Sequence, residues 1–211
     1  NGGGINISNN STVSIISATI KNNTSNNGGG IYVSNNSIVN ITNSLIQGNT
    51  ADVNGGGVEI FDYSSAIIIN TNIISNSAST AGGVDISNHS VAKFDSTLIL
   101  SNTVDTNGGG INISNHSIAE VDSARIQLNT ASINGGGINI SNHSTASINK
   151  TSIQSNGASN GGGIDISDNS TTHLNYTTIQ SNNAGYGGGM KVVNNSTVNM
   201  NNTVIQSNIV T

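Results

Sequence analysis

Apolar and polar residues alternate in short runs along this chain, and the runs recur every 26 or 27 residues. Each repeat opens on a glycine triplet and an apolar residue, as in Gly28-Gly29-Gly30-Ile31 or Gly135-Gly136-Gly137-Ile138; only Ala81-Gly82-Gly83-Val84 departs from this form. Let places be counted from the last glycine of each triplet. Places 1 and 3 are apolar in all eight repeats (Ile5/Ile7 through Met190/Val192), place 11 is apolar, place 16 is always Ile and place 7 is always Ser. An Ile-x-x-Asn motif ends at place 19 every time, giving Asn23, Asn49, Asn76, Asn102, Asn129, Asn156, Asn182 and Asn208. All variation in repeat length therefore falls between that Asn and the next triplet, which reads as a rigid packed stretch closed by a variable surface turn. Period-two alternation signals strands. Place 2 (Asn6, Tyr32, Glu59, Asp85, Asn112, Asn139, Asp165, Lys191) is flanked by apolar residues and is expected to point outward into solvent.

Three short strands per repeat follow from this pattern, none long enough to bury a face alone. Each must pair with the same strand of the next repeat, in parallel and in register. The expectation is an all-β chain folded as a right-handed parallel β-helix, or β-solenoid: eight coils, three strands per coil, one domain over residues 1–211. Coils would start near residues 1, 27, 54, 81, 107, 134, 160 and 186. A leucine-rich repeat has a similar period, but five Leu and no helical segment exclude it. Like residues would stack on like, and the Asn of place 19 would form an inward ladder of amides. No capping segment is apparent, and joining Asn208 to Gly4 of a second copy takes seven steps, the shorter loop length found inside the chain. The segment thus reads as part of a longer solenoid or as a filament protomer, with itself as partner through head-to-tail copies or flanking coils of the same chain.

Composition narrows the function. The chain holds 39 Asn and 26 Gly among 211 residues, with 7% charged and 3% aromatic residues, which excludes a helical protein. Without Cys there is no disulfide, thiolate metal site or Cys nucleophile. A net charge of −5 with five basic residues argues against nucleic acid as a partner. No apolar run approaches the roughly 20 residues of a spanning helix, so no membrane insertion by this segment is expected.

Candidate chemistry is sparse. Asp95 and Asp122 share place 12 on adjacent coils, flanked by Lys93, Glu120 and Arg125, and Glu59 and Asp85 share place 2. Stacked carboxylates could share a proton, bind a cation or act on a sugar, but every turn is short and no substrate-gripping loop is present. No catalytic residue and no cofactor are assigned. His89, His116 and His143 share place 6 on three consecutive coils and are the one candidate metal cluster, at a turn tip that elsewhere carries Asn or Tyr. Of the Asn-x-Ser/Thr sequons, those at outward places are the candidate glycosylation positions: Asn6, Asn40, Asn112, Asn139, Asn149, Asn175 and Asn201. Place 14 is rich in Thr but is expected to point inward, and place 15 is mixed, so no ranked Thr face for ice emerges.

The succession Ile-x-x-Asn-x-Ala and Gly-Gly-Gly-Ile resembles the FxxN and GGA(I/L/V) repeats of chlamydial polymorphic outer-membrane proteins and related adhesin or autotransporter passengers. The likeness runs over the whole chain, with Ile where that family mostly has Phe and Gly where it mostly has Ala. It implies a right-handed β-helix, an extracellular or cell-surface location, and adhesion or self-association. The functional expectation is a non-enzymatic extracellular structural protein, a filament or adhesin stalk, with cell-surface or glycan ligands as further partners. The alternative is a β-helix that binds or cleaves acidic polysaccharide.

Overall fold

A computed structural model describes all of residues 1–211 and contains no helix. Its strands form four sheets of eight, every pairing parallel, each strand hydrogen-bonded to its counterpart one coil away. The chain is a β-solenoid of eight coils. One coil shows the plan: Ile111–Ile113 lies in the first sheet, Ile118–Asp122 in the second, Arg125–Gln127 in the third and Thr130–Ala131 in the fourth. Register is kept place by place, as in Ile111↔Ile138, Val121↔Ile148 and Ile126↔Ile153.

The expected count of three strands per coil is corrected to four. The fourth strand falls in the stretch read as a variable turn. Its first two residues keep a fixed distance from the Asn of place 19 and put a small side chain inward, such as Ala51, Ala131 or Ala184, each buried. Only the residues after them absorb the extra length. Where a 26-residue coil meets a 27-residue one, the ladder slips between Ser25 and Asn27. Alternation over so few residues is too short to read as a strand, which is why the pattern missed it.

The corners explain the asparagine. Places 5, 6, 13 and 18 adopt positive φ in all eight coils, for example Asn35 (55°), Asn36 (58°), Asn43 (51°) and Ser75 (53°). Asn and Asp tolerate this region best among residues with a Cβ. The residue after the corners at places 6 and 18, and in some coils the one after place 13, turns inward with a side-chain oxygen that accepts the backbone N–H of the same place one coil earlier. Ser117 Oγ takes the Ser90 N–H at 3.1 Å, Thr151 Oγ1 takes the Ala124 N–H at 3.3 Å, and Asn129 Oδ1 takes the Asn102 N–H at 2.9 Å. A corner swings the backbone carbonyl out of line, and at these positions the side-chain oxygen takes over as acceptor for the buried donor.

Inside, 33 buried apolar residues make one continuous column, including Phe94 and the Ile of place 16. Removing each large side chain from water stabilises by roughly 1.5–3 kcal/mol. The column is open at its ends within these residues: Met200 and Ile205 are 54% and 45% exposed, while Leu174 and Ile179 one coil earlier are 0%.

Place 2 corrects a second expectation. It lies outside the coil, yet Tyr32, Glu59, Asp85, Asn112, Asn139 and Asp165 are buried. The chain entering each triplet folds back over it as a strap. At Gly55 (φ 62°) a Cβ would stand 2.7 Å from Glu59 Cβ. The left-handed turn and the close approach together call for glycine there. Ala81, the one exception, takes the same conformation at φ 57°.

Candidate functional site

The place-19 asparagines form the expected inward ladder. Asn129 Nδ2 donates to Asn156 Oδ1 at 3.0 Å and to Ile99 O at 3.0 Å, and its own Oδ1 accepts from Asn102 Nδ2 at 3.0 Å. The same set recurs from Asn49 to Asn182, all buried, while Asn23 and Asn208 at the two ends are partly exposed.

The histidines of place 6 come together in an unexpected way. Tyr63, His89, His116 and His143 form a column of parallel rings with centroids 4.8, 5.1 and 5.0 Å apart and planes within 4° of each other. Ring-nitrogen lone pairs lie in the ring planes, so in this arrangement adjacent imidazoles aim along parallel planes and do not converge on one ion. No group of three His, Cys, Asp or Glu side chains is placed to hold a metal. Tyr63, at the same place one coil before His89, completes the column, and its shared place is the signal in the sequence.

On the second sheet Lys93, Asp95, Glu120, Asp122, Ser147 and Asn149 line a shallow groove of about 350 Å³. Lys93 Nζ sits 3.2 Å from Glu120 Oε2 with both side chains more than half exposed, an ion pair worth roughly 0–1 kcal/mol. Asp95 and Asp122 are register partners, each bonded by its neighbouring serine hydroxyl at 2.9 and 3.3 Å. Arg125, expected beside them, lies past the Ser123 corner in the third sheet and does not line the groove.

The buried row at place 2 is where electrostatics depart from the ordinary. Asn139 Nδ2 donates to Asn112 Oδ1 at 2.8 Å, and Asn112 Nδ2 to Asp85 Oδ1 at 2.7 Å. Burial pushes the Glu59 carboxyl up to about 8, the neighbouring Asp85 charge adding to the effect. Burial raises Asp85 against the pull of Ser87 and Asn112, and raises Asp165 despite Lys191 Nζ at 3.9 Å. Sequence placed Glu59 and Asp85 in one column but took the column for a wet surface, because period-two alternation does not show that the chain entering each triplet folds back over it.

This row also revises the glycosylation candidates. Asn112 and Asn139 are 5% and 2% exposed with their amides engaged, so they are not free surface positions. Asn40, Asn149 and Asn175 are half-buried in the second sheet, and Asn6 and Asn201 in the terminal coils are exposed.

The fold defines the chain as a parallel β-solenoid. Comparison with protein-family models, with curated proteins and with solved structures finds no match.

Proposed function

We propose that this β-solenoid is a non-enzymatic structural element of the cell exterior, a stiff rod built by adding coil to coil, either as a filament of head-to-tail copies or as a stalk of an adhesin. One observation carries the reading: every coil-to-coil joint repeats the same interface, place by place and in the same direction. Inside that interface the isoleucines of place 16 from Ile46 to Ile179 are fully buried. The joint also has a direction. At place 19 each backbone N–H bonds to the asparagine oxygen of the coil after it, so one side of every joint offers asparagine oxygens and the other offers backbone N–H groups. Head-to-tail contact pairs them; head-to-head contact sets like groups against like. Such a heterologous contact does not close on itself and gives a fibre. Eight coils at about 4.8 Å make a unit roughly 38 Å long. The likeness to adhesin-type repeats supports the exterior location.

Electron microscopy and sedimentation of the purified chain test this. Rods longer than one unit, growing with concentration and shortened by Ile205→Asp, are expected. Single units at every concentration, unchanged by Ile205→Asp, would overturn the filament.

The groove on the second sheet supports the carbohydrate alternative. Its lining has three carboxylates against one ammonium, however, so an acidic polysaccharide would meet mostly like charge. Release of reducing sugar from such a polymer by single units would favour that alternative.

A further inference from the structure

Donors and acceptors along the buried outer row do not balance, and one of the unpartnered atoms is Glu59 Oε2. Asp85 accepts from Ser87 Oγ at 2.6 Å and from Asn112 Nδ2 at 2.7 Å, so both its oxygens are used as a carboxylate uses them. Glu59, its register partner on the preceding coil, is equally enclosed at 2% exposure, but its Oε2 meets no donor. No basic side chain faces the pair. On the other side of Glu59 stands Tyr32, its partner in the second coil, with Asp62 beyond, and the only positive charge acting on Glu59 is the N-terminal ammonium, the weakest influence upon it. Two carboxylates on adjacent strands would repel strongly where water is excluded. One proton removes the conflict: a neutral Glu59 becomes a donor beside an anionic Asp85.

We propose that Glu59 and Asp85 together hold a single proton in the folded β-helix at neutral pH, carried on Glu59, and that losing this proton loosens the strap of residues 54–57 that covers Glu59. The strap is laddered on both sides: Gly55 N–H donates to Thr80 O at 3.0 Å and Gly56 N–H to Ala81 O at 2.9 Å, while Asn54 O and Gly55 O accept from the Gly28 N–H at 2.9 Å and the Gly29 N–H at 3.0 Å, so any loosening must break these bonds and shows as lost amide protection. A second anion beneath it demands water, and water enters only where the strap gives way. The raised Glu59 carboxyl, midway near pH 8, places the event in the mildly alkaline range. Asp165 in the same row behaves differently because Lys191 supplies a cation at 3.9 Å, with Asp168 opposing it. The third coil is therefore the alkaline-sensitive element of the rod, whatever the rod's biological role.

The test is an NMR titration of the Glu59 side-chain carboxyl in the intact chain, paired with amide exchange. A midpoint near pH 8 is expected, moving downward in Asp85→Asn. At pH 9 the protection of the Gly55 amide is expected to fall about tenfold relative to Gly135, whose outer neighbour is the uncharged Asn139. Glu59→Gln, which keeps a neutral side chain of the same size, is expected to retain that protection. A midpoint in the ordinary range near 4.5 overturns the bound proton. A midpoint near 8 with no relative loss at Gly55, or an equal loss in Glu59→Gln, overturns the coupling to the strap.

Discussion

Two polar columns run the length of this molecule, equally buried and built on opposite principles. The inner one repeats a single residue, Asn, and each rung donates to and accepts from its neighbours, so every oxygen and nitrogen of the internal rungs is used. The outer one, at place 2, mixes Tyr32, Glu59, Asp85, Asn112, Asn139 and Asp165, and leaves Glu59 Oε2, Asn139 Oδ1 and Asp165 Oδ1 without hydrogen bonds, the last having only the Lys191 ammonium at 3.9 Å. An amide is self-complementary at the coil spacing; a carboxylate is not. Uniformity makes the inner column a structural spine, and heterogeneity makes the outer column sensitive to its surroundings.

The largest effect should come from the spine. Asn129→Leu removes four hydrogen bonds: it strands the Asn102 N–H, and the Asn102 amide, the Ile99 carbonyl and the Asn156 oxygen each lose one partner. A loss of about 3–5 kcal/mol is expected in denaturant unfolding. Gln127→Leu, two residues away on the outside, should change stability by less than about 0.5 kcal/mol. Equal losses would refute the distinction between an inner spine and a tolerant exterior.

The next effect belongs to the outer column and depends on pH. Below about pH 4.5 Glu59 is protonated whether the chain is folded or unfolded, and its stabilising contribution is intact. As pH rises toward about 8 the unfolded chain gains by ionising and the folded chain does not, so stability falls through that window. Glu59→Gln should abolish this slope, raising the melting temperature at pH 9 relative to wild type by the equivalent of about 2–4 kcal/mol and leaving it little changed at pH 4. Parallel melting curves of the two proteins across pH would erase the contrast between the columns.

Smaller effects probe the strap and the surface. Ala81→Gly should stabilise by about 0.5–1 kcal/mol, because Ala81 holds φ 57° where its seven counterparts are glycine. Thermal melts would detect the shift, and a destabilised variant would mean that the buried methyl matters more than the backbone. Lys93→Ala, which breaks the exposed pair with Glu120, should move stability by less than about 1 kcal/mol and less still at high salt.

Much of this was legible in the residues alone. The repeat, the parallel register and the inward Asn129 and Thr151 follow from strict periodicity, since a residue kept at one place in eight coils must meet its own kind at the coil spacing. The fourth strand was not legible, because Thr130–Ala131 is too short to show alternation. Nor was the burial of Glu59 and Asn139, because period-two patterning tells inside from outside a coil but not wet from covered. His89, His116 and His143 were placed together correctly, but their stacking in parallel planes depends on side-chain torsions that spacing does not encode.

Periodicity, then, determined the β-solenoid, its coil boundaries and its spine, because those properties depend only on which residue recurs at which interval. Tertiary structure alone decided that a left-handed turn at each triplet throws the chain back across the first sheet. That turn converts an outward acidic column into a dry one, and water exclusion, a property of what lies overhead, sets the charge state of Glu59.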